Sequence, residues 1–198
     1  MKLVVIKYNA GNIQSVRFAL QRLGIEAIWS DDPEVIRSAD KVIFPGVGEA
    51  STAMAHLRKT GLDQLIPSLK QPTFGICLGQ QLMCRYSEEN DTDCLGIFDA
   101  EVKLFPKTSG ESRLKVPQIG WNALRDLKSP LLKDVEEGAF AYFVHSYYVE
   151  TGAHTIATTE YGLPFSAALH RANFYATQFH PEKSAEAGAQ ILQNFLEL

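Results

Sequence analysis

The stretch that most constrains this chain is residues 72–81, PTFGICLGQQ. A short apolar run leads straight into Cys77, which has a glycine two positions away on each side. Leu78, Leu82 and Met83 then begin a helical pattern. G-x-C-x-G at a strand-to-helix turn is the cysteine form of a nucleophile elbow, in which a sharp turn holds a reactive side chain above a sheet. The glycines matter for two reasons. A side chain there would meet the neighbouring strand and helix, and the turn needs uncommon dihedral angles. The sulfur also lies near a helix N-terminus, where partial positive charge favours thiolate over thiol. The same residues equally fit a buried structural cysteine at a strand end. The choice depends on what the rest of the chain supplies.

An elbow needs a sheet around it, and the first half of the chain has the pattern of one. Residues 3–8, LVVIKY, read as a continuous apolar strand of a parallel sheet covered on both faces. A loop at 9–12 contains Gly11, and Asn12 is placed to cap a helix whose face is Ile13, Val16, Leu20 and Leu23. Gly24 stops that helix. Further strands are expected at 25–29, 41–44 and 73–77, with a helix at 49–59. The third strand runs into Pro45-Gly46-Val47-Gly48. Alternation of this length implies βαβ units and an α/β doubly wound, mostly parallel sheet flanked by helices. Ligands in such sheets lie beyond the carboxyl ends of the strands, so Cys77 and the turn at 45–48 face one crevice.

From residue 100 the helical periodicity fades. Strands are expected at 102–105, 121–124, 140–149, 155–158, 165–170 and 174–179, with a hairpin turn at Ala172-Asn173. These are read as an antiparallel extension of the parallel sheet plus side strands packed on it. A final helix carries Ala185, Ala189, Leu192 and Phe195 on its buried face, capped by Ser184. No repeat or linker interrupts the 198 residues, so one domain spanning 1–198 is expected.

Composition excludes several classes of function. The net charge is −4 and no basic run occurs, which argues against nucleic acid. No apolar stretch reaches the roughly 18 residues of a membrane span, and the start lacks the marks of a signal peptide, so a cytoplasmic protein is expected. Cys77, Cys84 and Cys94 are odd in number and follow no metal spacing. This argues against a disulfide framework and a metal site.

A cysteine nucleophile needs a base, a group that orients the base, and donors for an oxyanion. His56 falls on a surface helix, His154 in a polar loop and His170 beside the hairpin turn, all read as exposed. His145 lies within FVHSYY, where a satisfied core or interface histidine is the ordinary reading. His180 differs. It ends the last expected strand in QFHPE, and Pro181 restrains the backbone between it and Glu182. Residues two apart on a strand share a side, so Glu182 can accept the imidazole N–H. The bland alternative is that Glu182 merely opens the final helix.

GICLGQQ followed by QFHPEKS resembles the triad-type, class I glutamine amidotransferases. The resemblance implies a flavodoxin-like fold and a Cys77–His180–Glu182 triad, with FPGVG at 44–48 as the oxyanion strand. Val47, Gly48 and Leu78 would supply the oxyanion hole, and Gln81, Glu89 and Gly48 would hold glutamine. YNAGNIQSV, PGVGEASTAM, PQIGWN and FVHSYY narrow the resemblance to the glutaminase subunits of imidazole glycerol phosphate synthase. That implies a heterodimer with a (β/α)8-barrel cyclase and ammonia passed through an interior channel. It implies no cofactor. Trp121, Asn122, Tyr142 and His145 are the candidates for the interface and channel gate. Gln118 stands where that family often has His and is expected to face the partner. Three other readings stay open: a glutaminase of anthranilate or aminodeoxychorismate type, a cysteine peptidase on a related sheet, and a catalytically silent interaction subunit.

Overall fold

The computed structural model describes residues 1–9, 13–110 and 112–198. Gly11 and the expected Asn12 cap lie outside them. The first half runs β1 (Leu3–Ile6), α1 (Ile13–Arg22), β2 (Ile28–Ser30), α2 (Pro33–Arg37), β3 (Lys41–Gly46), α3 (Ala50–Thr60), α4 (Leu62–Ser68), β4 (Thr73–Cys77) and α5 (Leu78–Met83). There follow β5 (Tyr86–Ser87), β6 (Thr92–Asp93), β7 (Glu101–Leu104), β8 (Thr108–Ser109), β9 (Ser112–Arg113) and β10 (Gln118–Ala123). The chain ends with β11 (Phe140–His145), β12 (Tyr147–Val149), β13 (Thr155–Glu160), β14 (Pro164–Arg171), β15 (Phe174–Thr177) and α6 (Ala185–Glu197).

Among the described residues, seven strands form the central sheet in the order β13-β14-β15-β4-β3-β1-β2. β2, β1, β3, β4 and β15 pair in parallel, while β14 and β13 extend the sheet antiparallel. Both faces are covered. Val4 and Ile6 pack with Ile36, Met54 and Leu57, whereas Leu3 and Val5 pack with Leu20, Ile191 and Phe195. A strand buried on both sides has no reason to alternate, which is why β1 reads as an unbroken apolar run. β12, β7, β5 and β6 make a side sheet, and β10–β11 make a separate ribbon.

Three local departures have physical causes. β2 starts at Ile28 rather than 25 because Ile25 N–H is engaged by the end of α1. Gly24 (φ 74°) donates to Gln21 O and Ile25 to Leu20 O, closing a Schellman motif. Helices α2 and α4 were not anticipated. Asp32-Pro33 carried a readable start signal, since the Asp32 side chain accepts from Glu34 N at 2.8 Å. Finally, the expected strand at 140–149 divides at Ser146. β11 pairs with β10 and β12 with β7, so the chain changes sheets there.

Candidate active site

Cys77 sits at the β4–α5 junction with φ 54° and ψ −107°, a conformation a non-glycine residue adopts only when its surroundings impose it. Here β4 is clamped between β3 and β15, with Gly46 opposite Cys77 and Thr177 opposite Ile76. The flanking glycines are steric requirements. A methyl group at Gly79 would overlap the Phe44 carbonyl oxygen, and one at Gly75 would lie 2.9 Å from Met83 Sδ and 3.0 Å from Gly79 C. Helix α5 has only six residues, so what it offers the sulfur is its unpaired first-turn N–H groups, Leu78 first. Cys84, at the C-terminal end of α5, is fully buried, and burial pushes its thiol far up.

The sulfur of Cys77 lies 3.9 Å from Val144 O and accepts from the Gln178 amide at 3.7 Å. Gln178 in turn accepts from Gln81 Nε2 at 3.0 Å, and that same amide donates to Tyr147 O at 3.1 Å. Gln81 therefore lines the crevice with its donors already engaged. Gln178 was not singled out from sequence. Its placement next to the histidine motif was the available signal.

His180 and Glu182 are both buried, with Nδ1 donating to Oε1 at 2.8 Å. Strand alternation does not join this pair. β15 ends at Thr177, and a single 3₁₀ turn, Pro181–Lys183, folds Glu182 back under the ring. Ser184 is also not a side-chain cap. Its hydroxyl donates to His180 O at 2.7 Å and accepts from Tyr142 N at 2.9 Å, tying this turn to β11. Nε2 of His180 makes no well-aligned hydrogen bond with a described residue, and the Cys77 sulfur acts on it electrostatically. Burial works against the imidazolium. Cys77 and then Glu182 overcome it, and the pKa rises to about 10.

The crevice above Cys77 holds about 280 Å³ and is walled by Val47, Gly48, Leu78, Gln81, Glu89 and the 144–147 segment. Glu89 is half-buried rather than a helix-end surface charge. Its Oε2 accepts from Ala50 N at 2.7 Å at the start of α3, and burial raises its pKa. His145 donates from Nδ1 to Tyr147 O at 2.6 Å, which leaves Nε2 as an acceptor. Burial lowers its pKa to about 4, the bond to Tyr147 partly opposing and His180 assisting.

The β10–β11 ribbon separates the interface candidates. Trp121 pairs with Tyr142 and their rings meet edge-on at 5.9 Å on the outer face. Asn122 and His145 lie on the opposite face. Asn122 is held by a bond to Glu160 O at 2.6 Å, and His145 is buried among Phe105, Phe143 and Phe165. Gln118 pairs with His145 and is buried, so the expectation that it faces a partner is overturned. Among the surface expectations, His170 is half-buried and stacks on Tyr175 at 4.1 Å. Among the described residues, no cluster of His, Cys, Asp and Glu could hold a metal ion, and no helix is long and apolar enough to cross a membrane.

This fold is shared with a solved glutamine amidotransferase (TM-score 0.74, 20% identity, 98% of this chain and 97% of that one). It is shared too with PurLQS from Thermotoga maritima (TM-score 0.71, 16% identity, 99% and 97%). The family described as Glutamine amidotransferase class-I matches residues 4–198, and the chain belongs to it. Within that family the chain is 61% identical over the whole length of both proteins to the imidazole glycerol phosphate synthase subunit HisH of Bacteroides fragilis. It is 46% identical to the subunit of the same name from Vibrio parahaemolyticus, over 100% of this chain and 98% of that one.

Proposed function

We propose that the chain is the glutaminase subunit of an imidazole glycerol phosphate synthase, working in the cytoplasm as one domain over residues 1–198. What carries this reading is the placement of a strained Cys77 at the floor of a crevice beside a buried His180–Glu182 pair, with the sulfur acting on the imidazole. A free thiol, with pKa near ~8.5, is only a few per cent ionised at neutral pH, so the nucleophile needs this imidazolium beside it.

Cys77 attacks the side-chain carbonyl carbon of glutamine, and the carbonyl electron pair moves to oxygen. Leu78 N–H and an N–H of the Val47–Gly48 turn receive that oxyanion, each donor contributing about 3 kcal/mol. His180 Nε2 gives its proton to the amide nitrogen, the C–N bond breaks, and ammonia leaves a glutamyl thioester. Neutral His180 then takes a proton from water, the hydroxide adds to the thioester, and glutamate departs as the thiolate reforms. Glu182 holds the ring and its charge throughout. Gln81, Gly48 and Glu89 face the amino-acid end of glutamine, with the Glu89 carboxylate suited to the α-ammonium. Two glycines around Val47 let that peptide rotate, and we infer that the oxyanion hole completes only with a partner and its ligand bound.

Ammonia set free in water is lost, so a second chain must use it. A (β/α)8-barrel cyclase fits, converting phosphoribulosyl-formimino-AICAR phosphate to imidazole glycerol phosphate and AICAR. The outer ribbon face supports a docking role. Ile119, Trp121 and Phe140 there are 64%, 49% and 60% exposed, a concentration of large apolar groups typical of an interface core. Tyr142 shares that face, while Asn122 and His145 line the path beneath it. The test is glutamine hydrolysis by the chain alone, with the cyclase, and with the cyclase and its nucleotide ligand. Low activity alone and a large rise in the complete mixture are expected. A rise with an anthranilate-type synthase instead would overturn the acceptor assignment.

A further inference from the structure

Tyr8 follows β1 and is buried against the turn after β3. Its ring lies 5.2 Å from that of Phe44, and a methyl group added at Gly46 would overlap its hydroxyl. That hydroxyl has no hydrogen-bond partner among the described residues. Burial first, and then the negative charge of Cys77, hold the phenol far above its ordinary range, so it is a donor rather than a phenolate. An unpaired buried hydroxyl destabilises the resting fold, and a group kept in that state calls for an explanation.

The neighbouring turn offers one. Gly48 has φ 118°, and Gly46 and Gly48 flank Val47, so the backbone there is free of the usual side-chain restrictions. A peptide group has two ends. Turning an N–H toward the crevice turns the carbonyl of the same peptide away from it, into protein, where it needs a donor.

We propose that Tyr8 is a positioning residue whose hydroxyl donates to the backbone carbonyl of the 46–48 turn when that turn takes up the oxyanion. The hydroxyl is unpaired at rest and paired in the reacting state, so it destabilises the first and favours the second. This rests on the reading of Cys77 as the nucleophile of a glutaminase.

The test compares wild type with Tyr8→Phe, reading the thermal midpoint on the isolated chain and inhibition in the complete mixture with the cyclase and its nucleotide ligand, using glutamate γ-semialdehyde as the probe. Its aldehyde carbon forms a bond to Cys77 Sγ, and the carbonyl oxygen becomes the tetrahedral oxygen of a thiohemiacetal, with no leaving group and no change of oxidation state. Removing the hydroxyl should raise the thermal midpoint by about 2–4 °C, because the unpaired group is gone. It should also weaken inhibition by roughly three- to tenfold, the value of one hydrogen bond. The KM for glutamine should change less than about twofold, since ground-state binding does not use the turned peptide. Equal inhibition of the two proteins overturns the proposal whatever the midpoint does. A fall in the midpoint also overturns it, because the hydroxyl would then be paired at rest. Absence of inhibition in wild type is a different failure, and it removes the nucleophile reading itself.

Discussion

The two sides of the crevice are built by different kinds of order. On the nucleophile's side almost everything is local. β4, Cys77 and α5 form one uninterrupted segment, and its glycines admit the Phe44 carbonyl and Met83 within contact distance. On the base's side almost nothing is local. Gln178 touches the sulfur from 101 residues away, and His180 hangs on β11 through a bond from its N–H to Tyr142 O at 2.9 Å. The first side is held by tight packing of the turn against β3. The second depends on the parallel insertion of β15 beside β4 and on a polar chain that any neighbour can loosen.

This contrast can be sharpened by substitution. Cys77→Ala should reduce glutamine hydrolysis about 10⁴-fold or more, while the folded chain persists and ammonia-driven synthesis by the complex continues. Unchanged glutamine-dependent synthesis would make the elbow structural. Glu182→Gln should lower kcat by about 10²–10⁴-fold with little change in KM, because the ring loses the carboxylate that holds its proton and its charge. A local effect of comparable size is expected at Gly79→Ala, where the new methyl meets a backbone oxygen that cannot move. Denaturant titration should show a loss of about 3 kcal/mol, and a near-neutral result would mean that the β3–β4–α5 junction is loose.

Two smaller predictions concern the long-range side. His145 has a folded pKa of about 4, below its unfolded value of 6.5. The unfolded chain therefore binds the proton more tightly, so stability is present above pH 6.5 and lost as pH falls toward 4, by up to about 3 kcal/mol. His180 has the opposite sign. Its pKa of about 10 lies above the unfolded 6.5, so its contribution is full below pH 6.5 and lost as pH rises through 10. Urea midpoints measured from pH 4 to 10 should fall at both ends, and His145→Leu should flatten the acid limb alone. The smallest effect is expected at Gln178→Leu, which removes a weak N–H···S bond and should lower kcat about tenfold. No change there would show that the sulfur is positioned by the elbow alone.

Much of the site was legible because it is written in short motifs. G-x-C-x-G states a steric condition on two backbone approaches, and those approaches are found at the Phe44 carbonyl against Gly79 and at the Gly79 backbone against Gly75. The apolar runs of β1, β3 and β4 state burial on both faces. His180-Pro181-Glu182 was legible as a pair, though the reason differed: a 3₁₀ turn rather than strand alternation joins them. Gln118 was misassigned to a surface because ribbon register decides which face a residue occupies, and a shift of one residue exchanges the faces. Tyr8 and Gln178 were missed because their significance is an unpaired hydroxyl and a distant sulfur, which no spacing encodes.

By itself the sequence determined the elements that local sterics and burial dictate: the buried parallel strands, the strained elbow and its glycines, and the histidine–carboxylate pair. Tertiary structure alone decided that β4 lies between β3 and β15. That order brings the turn at 45–48 and the segment at 178–182 to opposite sides of one sulfur. The physical reason is that strand order is a property of long-range hydrogen bonding and shared burial, which act only once the whole sheet has formed.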